Sequence, residues 1–227
     1  VLVDNTGVIE VQTGWIAYAP GSAFRTGTQL LGAGTNLLDN GAVWMVGRIV
    51  SGNAELAGAT VYGTNTIEGL MKWTGGNIAT GGEVTVEAGA GIEITGTGAK
   101  VLAGVLNNAG VVRLTGAGAL GLCAGTVQNL AGGVFELEND QPIYLGSNCG
   151  GSLFRNAGLL RKSAGGPVEL DHRLKEASQI GGARAMRVAR QLSVGSVLAS
   201  FLLIAGSLAA SGCSGKKEEP KPPEVAT

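Results

Sequence analysis

Large rings and charged groups are scarce in this chain. Aromatic residues make up 4% and charged residues 15% of 227, the latter well below the roughly 25% of ordinary soluble domains. So few large rings argue against one bulky globular core and for many thin, similar layers of Val, Leu, Ile and Ala. Histidine occurs once, at His172, and the three cysteines, Cys123, Cys149 and Cys213, stand far apart. No Cys/His group has metal-ligand spacing, so no metal site is expected. The net charge of −1 comes without a basic stripe, which removes the electrostatic case for nucleic acid. Proline numbers only six, three of them Pro220, Pro222 and Pro223, so the bulk of the chain is not a Pro-rich coil. No strict G-X-Y period occurs, which excludes collagen.

Glycine is what the chain has in excess, 40 residues against an ordinary usage of about 7%. It punctuates a repeated unit of Asn, one or two small residues, Gly and an alternating apolar run. The unit appears as Asn5-Thr6-Gly7-Val8-Ile9-Glu10-Val11 and Asn108-Ala109-Gly110-Val111-Val112-Arg113-Leu114. It returns at Asn129, before Val134-Phe135-Glu136-Leu137, and at Asn156, before Leu159-Leu160-Arg161. The steps from Asn108 to Asn129 and from Asn129 to Asn156 have the length expected of a solenoid with one unit per coil. Asn and Gly tolerate the left-handed conformation that a sharp corner needs, and the alternating run gives an inward and an outward face. Asn5, Asn108, Asn129 and Asn156 are therefore read as turn residues. Further Gly-bounded strands are expected at 41–46, 59–62, 83–87 and 91–95. Two or three strands per coil of about twenty residues fill the region with eight or so coils.

Aligning the last three units stacks Val112, Phe135 and Leu160 in one inward column, with Leu114 and Leu137 in the next. Arg113, Glu136 and Arg161 share an outward column, where alternating signs attract modestly. Lys162 takes the place of Leu114 and Leu137, which implies that the stack is ending or that the register shifts.

Four runs carry a more specific likeness: Met71-Lys72-Trp73-Thr74-Gly75-Gly76-Asn77-Ile78, Leu106-Asn107-Asn108-Ala109-Gly110, the segment 129–140 and the segment 154–165. In order and spacing, residues 70–164 resemble the pectin-lyase-like or filamentous-haemagglutinin-like β-helix module of large bacterial secreted and surface proteins. Residues 1–69 resemble it more loosely, and the pattern stops after Gly165. The resemblance implies a right-handed parallel β-helix over residues 1–170, a piece of a longer repeat region. It implies a stalk or display surface and no particular activity.

Cys123 precedes its motif Asn by six residues and Cys149 by seven, so the two sit at nearly the same place in adjacent coils. Strands about 4.8 Å apart lie within disulfide reach, and a bridge fits an oxidising compartment; two unpaired thiols are the alternative. Trp15, Trp44 and Trp73 are evenly spaced along the chain, which suggests either an outer aromatic ladder for glycans or packing at a coil corner. No catalytic residues are assigned and no cofactor is expected. Asp4, Asp39, Asp140 and Asp171 are scattered; only Glu138 and Asp140 could converge on one face, as a polysaccharide lyase or hydrolase requires of its carboxylates. Gly96-Thr97-Gly98-Ala99-Lys100 lacks the full spacing and the following helix of a phosphate loop.

From Asp171 the composition changes. Residues 171–191 read as a charged linker or cap, 192–210 as a hydrophobic helix, and 211–227 as a disordered Lys/Glu/Pro tail. Residues 192–210 carry no charge and as a helix would span roughly 28 Å, enough to cross a bilayer. With Arg187 and Arg190 ahead and Ala210-Ser211-Gly212-Cys213 behind, residues 186–213 resemble a bacterial lipoprotein signal peptide, with Cys213 the lipidated residue. Two readings stay open: the start of a neighbouring lipoprotein joined to this chain, or a membrane anchor through 192–210. The functional expectation is a structural or adhesive stalk, extracytoplasmic and not an enzyme, meeting extracellular glycans or host and cell surfaces. A glycan-binding module and a polysaccharide lyase or hydrolase are the alternatives.

Overall fold

A computed structural model describes residues 2–146 and 149–168 of the chain. Two parallel sheets wind around one another as a β-solenoid of about seven turns. The narrow sheet has eight strands: Asp4–Asn5, Ala23–Phe24, Ala42–Met45, Thr60–Tyr62, Gly76–Ile78, Lys100–Leu102, Leu120–Leu122 and Ile143–Leu145. The wide sheet has fourteen strands and bends into two columns. Its first column runs through Val8–Glu10, Gln29–Leu31, Glu83–Val86, Val105–Asn108, Thr126–Asn129 and Leu153–Asn156. Its second runs through Trp15–Ala17, Thr35–Leu38, Gly91–Ile94, Val111–Leu114, Val134–Leu137 and Leu159–Lys162. In two middle coils both columns are crossed by one long strand, Gly47–Leu56 or Thr64–Trp73. Among the described residues there is no helix.

The strands form because each short run alternates in polarity and ends at glycine. Gly91–Ile94 and Thr126–Asn129 show half-buried and buried positions in strict turn, the period-two pattern of a strand with one face on a core. Every inward residue lies on its counterpart one coil away. Val43, Val61, Ile78, Leu102, Leu122 and Leu145 stack under the narrow sheet. Ala54, Met71, Ile92, Val112, Phe135 and Leu160 stack under the second column, followed by Leu56, Trp73, Ile94, Leu114, Leu137 and Lys162. The core is thus a set of thin layers, and nearly all of its members are fully buried. At the last coil Lys162 sits opposite Leu137 but stands exposed, its Nζ donating to Asn139 O at 2.8 Å. Among the described residues the apolar column ends there.

Asn108, Asn129 and Asn156 occupy one corner, between the two columns of the wide sheet, in register. Asn108 Nδ2 donates to Asn129 Oδ1 at 2.8 Å, and Asn129 Nδ2 to Asn156 Oδ1 at 2.7 Å. The same amides also reach Val134 O and Leu159 O at 2.9 and 3.1 Å. Asn5 does not belong to this corner. It lies in the narrow sheet opposite Phe24, and its amide bonds Gly7 O and Thr28 Oγ1. The likeness of its flanking sequence reflects another corner of the coil.

The reason for Asn and Gly at this corner also differs from expectation. None of Asn108, Asn129, Asn156, Gly110, Gly133 and Gly158 has a positive φ. A Cβ at Gly110, Gly133 or Gly158 would overlap Ala90 O, Asn108 O or Gly133 O of the coil beneath. Close stacking of backbone on backbone demands the glycine, and amide-to-amide bonding along the stack demands the asparagine.

Candidate functional site on the outer faces

Cys123 follows the narrow-sheet strand of one coil and Cys149 that of the next. They are at bonding distance, with Cα atoms 4.7 Å apart. The link ties the last described coil to the one before it.

The tryptophans are not brought together. Trp15 points outward from the second column of the first coil and is 66% exposed. Trp44 lies in the narrow sheet, buried, with its ring stacked on Tyr62 at a centroid distance of 5.6 Å. Trp73 is fully buried in the inward column between Leu56 and Ile94. The equal steps between them are longer than a coil, so consecutive members land at different places around it. Of the two readings, an outer aromatic ladder is absent from the described residues.

Glu138 and Asp140 each lie beside a base. Glu138 Oε1 lies 3.6 Å from Arg113 Nε, and Asp140 Oδ1 lies 3.5 Å from Lys162 Nζ. Asp4 bonds Arg25 through both carboxylate oxygens, at 2.7 and 3.1 Å, and that bond holds its carboxyl below the usual range. Asp39 accepts from Asn40 at 3.0 Å. His172, Asp171, Cys213 and the segment 192–210 lie outside the described residues.

The most ordered polar feature is on the outside of the second column. In register from coil to coil it reads Glu55, Lys72, Glu93, Arg113, Glu136 and Arg161, acid and base in strict alternation. The expected trio Arg113, Glu136 and Arg161 is its C-terminal half. There Glu136 is buried, with Arg161 Nη2 2.8 Å from Oε1 and Arg113 Nε 3.4 Å from Oε2. A hydrogen bond from Ser163 holds its carboxyl below the ordinary value, helped by Arg161 and Arg113 against the opposing effect of burial. In the N-terminal half, Glu55, Lys72 and Glu93 form no ion pair among the described residues, and Glu55 accepts from Thr74 Oγ1 at 2.7 Å. One outward position earlier on each strand lies a parallel stripe of Leu70, Gly91, Val111, Val134 and Leu159, whose ends Leu70 and Leu159 are 45% and 48% exposed.

Several polar residues escaped the sequence reading. Tyr18 Oη donates to Asn36 Oδ1, and Asn36 Nδ2 donates to Asn53 Oδ1 at 2.6 Å. Burial pushes the Tyr18 hydroxyl up to about 12. Lys100 faces inward at 1% exposure, above Leu120 and Ile143 in register, and its Nζ donates to Gly98 O at 2.8 Å. Burial lowers its pKa. A signal for the full ladder was present: Glu55, Lys72, Glu93 and Arg113 follow one another at steps close to the coil length itself.

No protein-family model, no curated protein and no solved structure matches the chain.

Proposed function

We propose that the solenoid is a structural stalk that displays or spaces other parts of a bacterial surface or secreted protein, with its coils wound in the right-handed sense. The parallel pairing of three strand columns from coil to coil through the described residues carries this reading. Seven steps of about 4.8 Å make a rod roughly 34 Å long, stiffened along its length by stacked side chains and, over the last three described coils, by the asparagine corner. The right-handed sense rests on the near-universal hand of parallel crossover connections. The likeness of residues 70–164 to the pectin-lyase-like and filamentous-haemagglutinin-like modules supports the same role. The cysteine pair supports an extracytoplasmic address, because such links persist where the surroundings are oxidising. Attachment to glycans or cell surfaces, and to the membrane through 192–210, belongs to the same proposal.

Labelling cells that make the protein with an antibody raised against the coils tests it. The expected result is labelling without permeabilisation, removed by external protease. Labelling that requires permeabilised cells would reject a surface stalk. Long-read sequencing of the source DNA across codons 150–200 decides whether 192–210 is part of the same product. One intact frame makes it the anchor, and a frame break removes it from the protein.

A further inference from the structure

The alternating ladder has a property that a row of charges of random sign lacks: it is complementary to its own reverse. It has six members in the order acid, base, acid, base, acid, base. A second copy laid face to face about a two-fold axis parallel to the strands keeps each column opposite its own counterpart and reverses the stack. Glu55 then faces the second copy's Arg161, Lys72 faces Glu136, and Glu93 faces Arg113. All six positions meet an opposite charge. If the two stacks ran in the same direction, every position would meet its like. The same rotation lays four of the five stripe residues on one another, Leu70 against Val134 and Gly91 against Val111, and leaves Leu159 beyond the end of the opposing stripe. Isologous contacts of this kind join one surface to itself.

Two further observations favour an outside partner for this face. Glu55, Lys72 and Glu93 have no ion pair among the described residues, so the charges of half the ladder are not consumed by the stack. The bases Lys72, Arg113 and Arg161 stand exposed, whereas Glu55 and Glu93 are half-buried and Glu136 is buried. Projecting cations over recessed acids give a relief that interlocks when reversed. We propose that this face is a homodimer surface, occupied by a second copy of this chain with its stack antiparallel. The ladder is about 24 Å long and one strand wide, which buries far less than the roughly 1,600 Å² of a standard interface. The dimer is therefore weak and salt-sensitive, its register set by charge more than by area.

Sedimentation equilibrium of the full chain over a range of concentrations tests this, at low salt and near 1 M salt, with circular dichroism as the check on folding. The wild type is expected to dimerise at low salt and to dissociate at high salt. Glu93→Arg and Arg113→Glu each place like charges opposite one another twice in the dimer, and each should weaken it at least about tenfold. Mixing the two variants should restore association, because their heterodimer again pairs opposite charges. A role confined to the stack of one molecule would not be rescued by mixing. A wild type that stays monomeric, association indifferent to salt, or a mixture no tighter than its components would overturn the proposal.

Discussion

Lys100 is the residue least expected from its neighbours. The column it shares with Leu120 and Ile143 is apolar, and its amine is satisfied by one turn carbonyl, Gly98 O. Burying an ammonium costs free energy that a single neutral acceptor recovers only in part. Its lowered pKa expresses that cost. The unfolded chain binds the proton more tightly than the folded one, so stability rises as pH climbs from the depressed value towards the ordinary 10.4 or so. Lys100→Met should therefore raise stability by about 1 kcal/mol at neutral pH, with the gain shrinking as pH rises towards about 10.4 and level above it. Urea unfolding of both forms at pH 7 and pH 10.5 measures it. Equal midpoints at pH 7 would mean that the amine is effectively solvated at the coil edge. The tryptophans teach a related lesson about single residues. Their sequence spacing is regular, yet one is exposed, one is stacked on Tyr62 and one is in the core. A spacing constrains position only when it equals the period of the structure.

Among elements, the asparagine corner carries the most concentrated hydrogen bonding. Asn129 stands in the middle, accepting from Asn108 and donating to Asn156 and to Leu159 O. Replacing it with Ala removes one acceptor and one donor from a buried row and leaves Leu159 O without that partner. The expected cost is about 2 kcal/mol, concentrated in the coils on either side. Native-state hydrogen exchange should show faster exchange in Val134–Leu137 and Leu159–Lys162, with Glu83–Val86 unchanged. Loss of protection throughout the chain would show instead that the solenoid unfolds as one unit. The Asn-Gly units and their alternating strands were legible because they are local: Asn108, Asn129 and Asn156, the inward column Val112–Phe135–Leu160 and the outward trio all fall where the spacing puts them. Asn5 misleads because a similar string serves a different corner. The pair Asn36 and Asn53 was missed because no Gly-bounded alternating run follows either in the expected form.

Across the whole molecule the stack is quasi-one-dimensional, so its ends are its weakest parts. The last described coil has an exposed Leu159, Arg161 and Lys162. The link between Cys123 and Cys149 closes a loop with a sequence separation of 26, which in the chain-entropy account contributes about 3.5 kcal/mol. Cys149→Ser, or reduction of the wild type, should release residues 143–162 while the earlier coils stay protected. Limited proteolysis under reducing and non-reducing conditions checks this, with cleavage after Arg155 or Arg161 as the expected signature. Equal cleavage in both conditions would show that the side-chain contacts of Phe154, Glu136 and Asn129 hold the coil without the link.

Composition and local pattern were enough for the class of fold, the approximate coil length, the inward columns of the last three coils and the cysteine pair. Each follows from properties that repeat along the chain: alternation about a strand axis, glycine at close approaches, and equal places in adjacent coils. The remaining features depend on where unequal coils lie over one another. Coil lengths vary, so a residue's neighbour across the stack is not at a constant offset, and only the assembled register buries Lys100 in line with Leu120 and Ile143 and scatters the three tryptophans over separate places. Local preferences choose strands and corners; stacking chooses partners, and a pairing between residues of different coils has no energy until the coils are stacked.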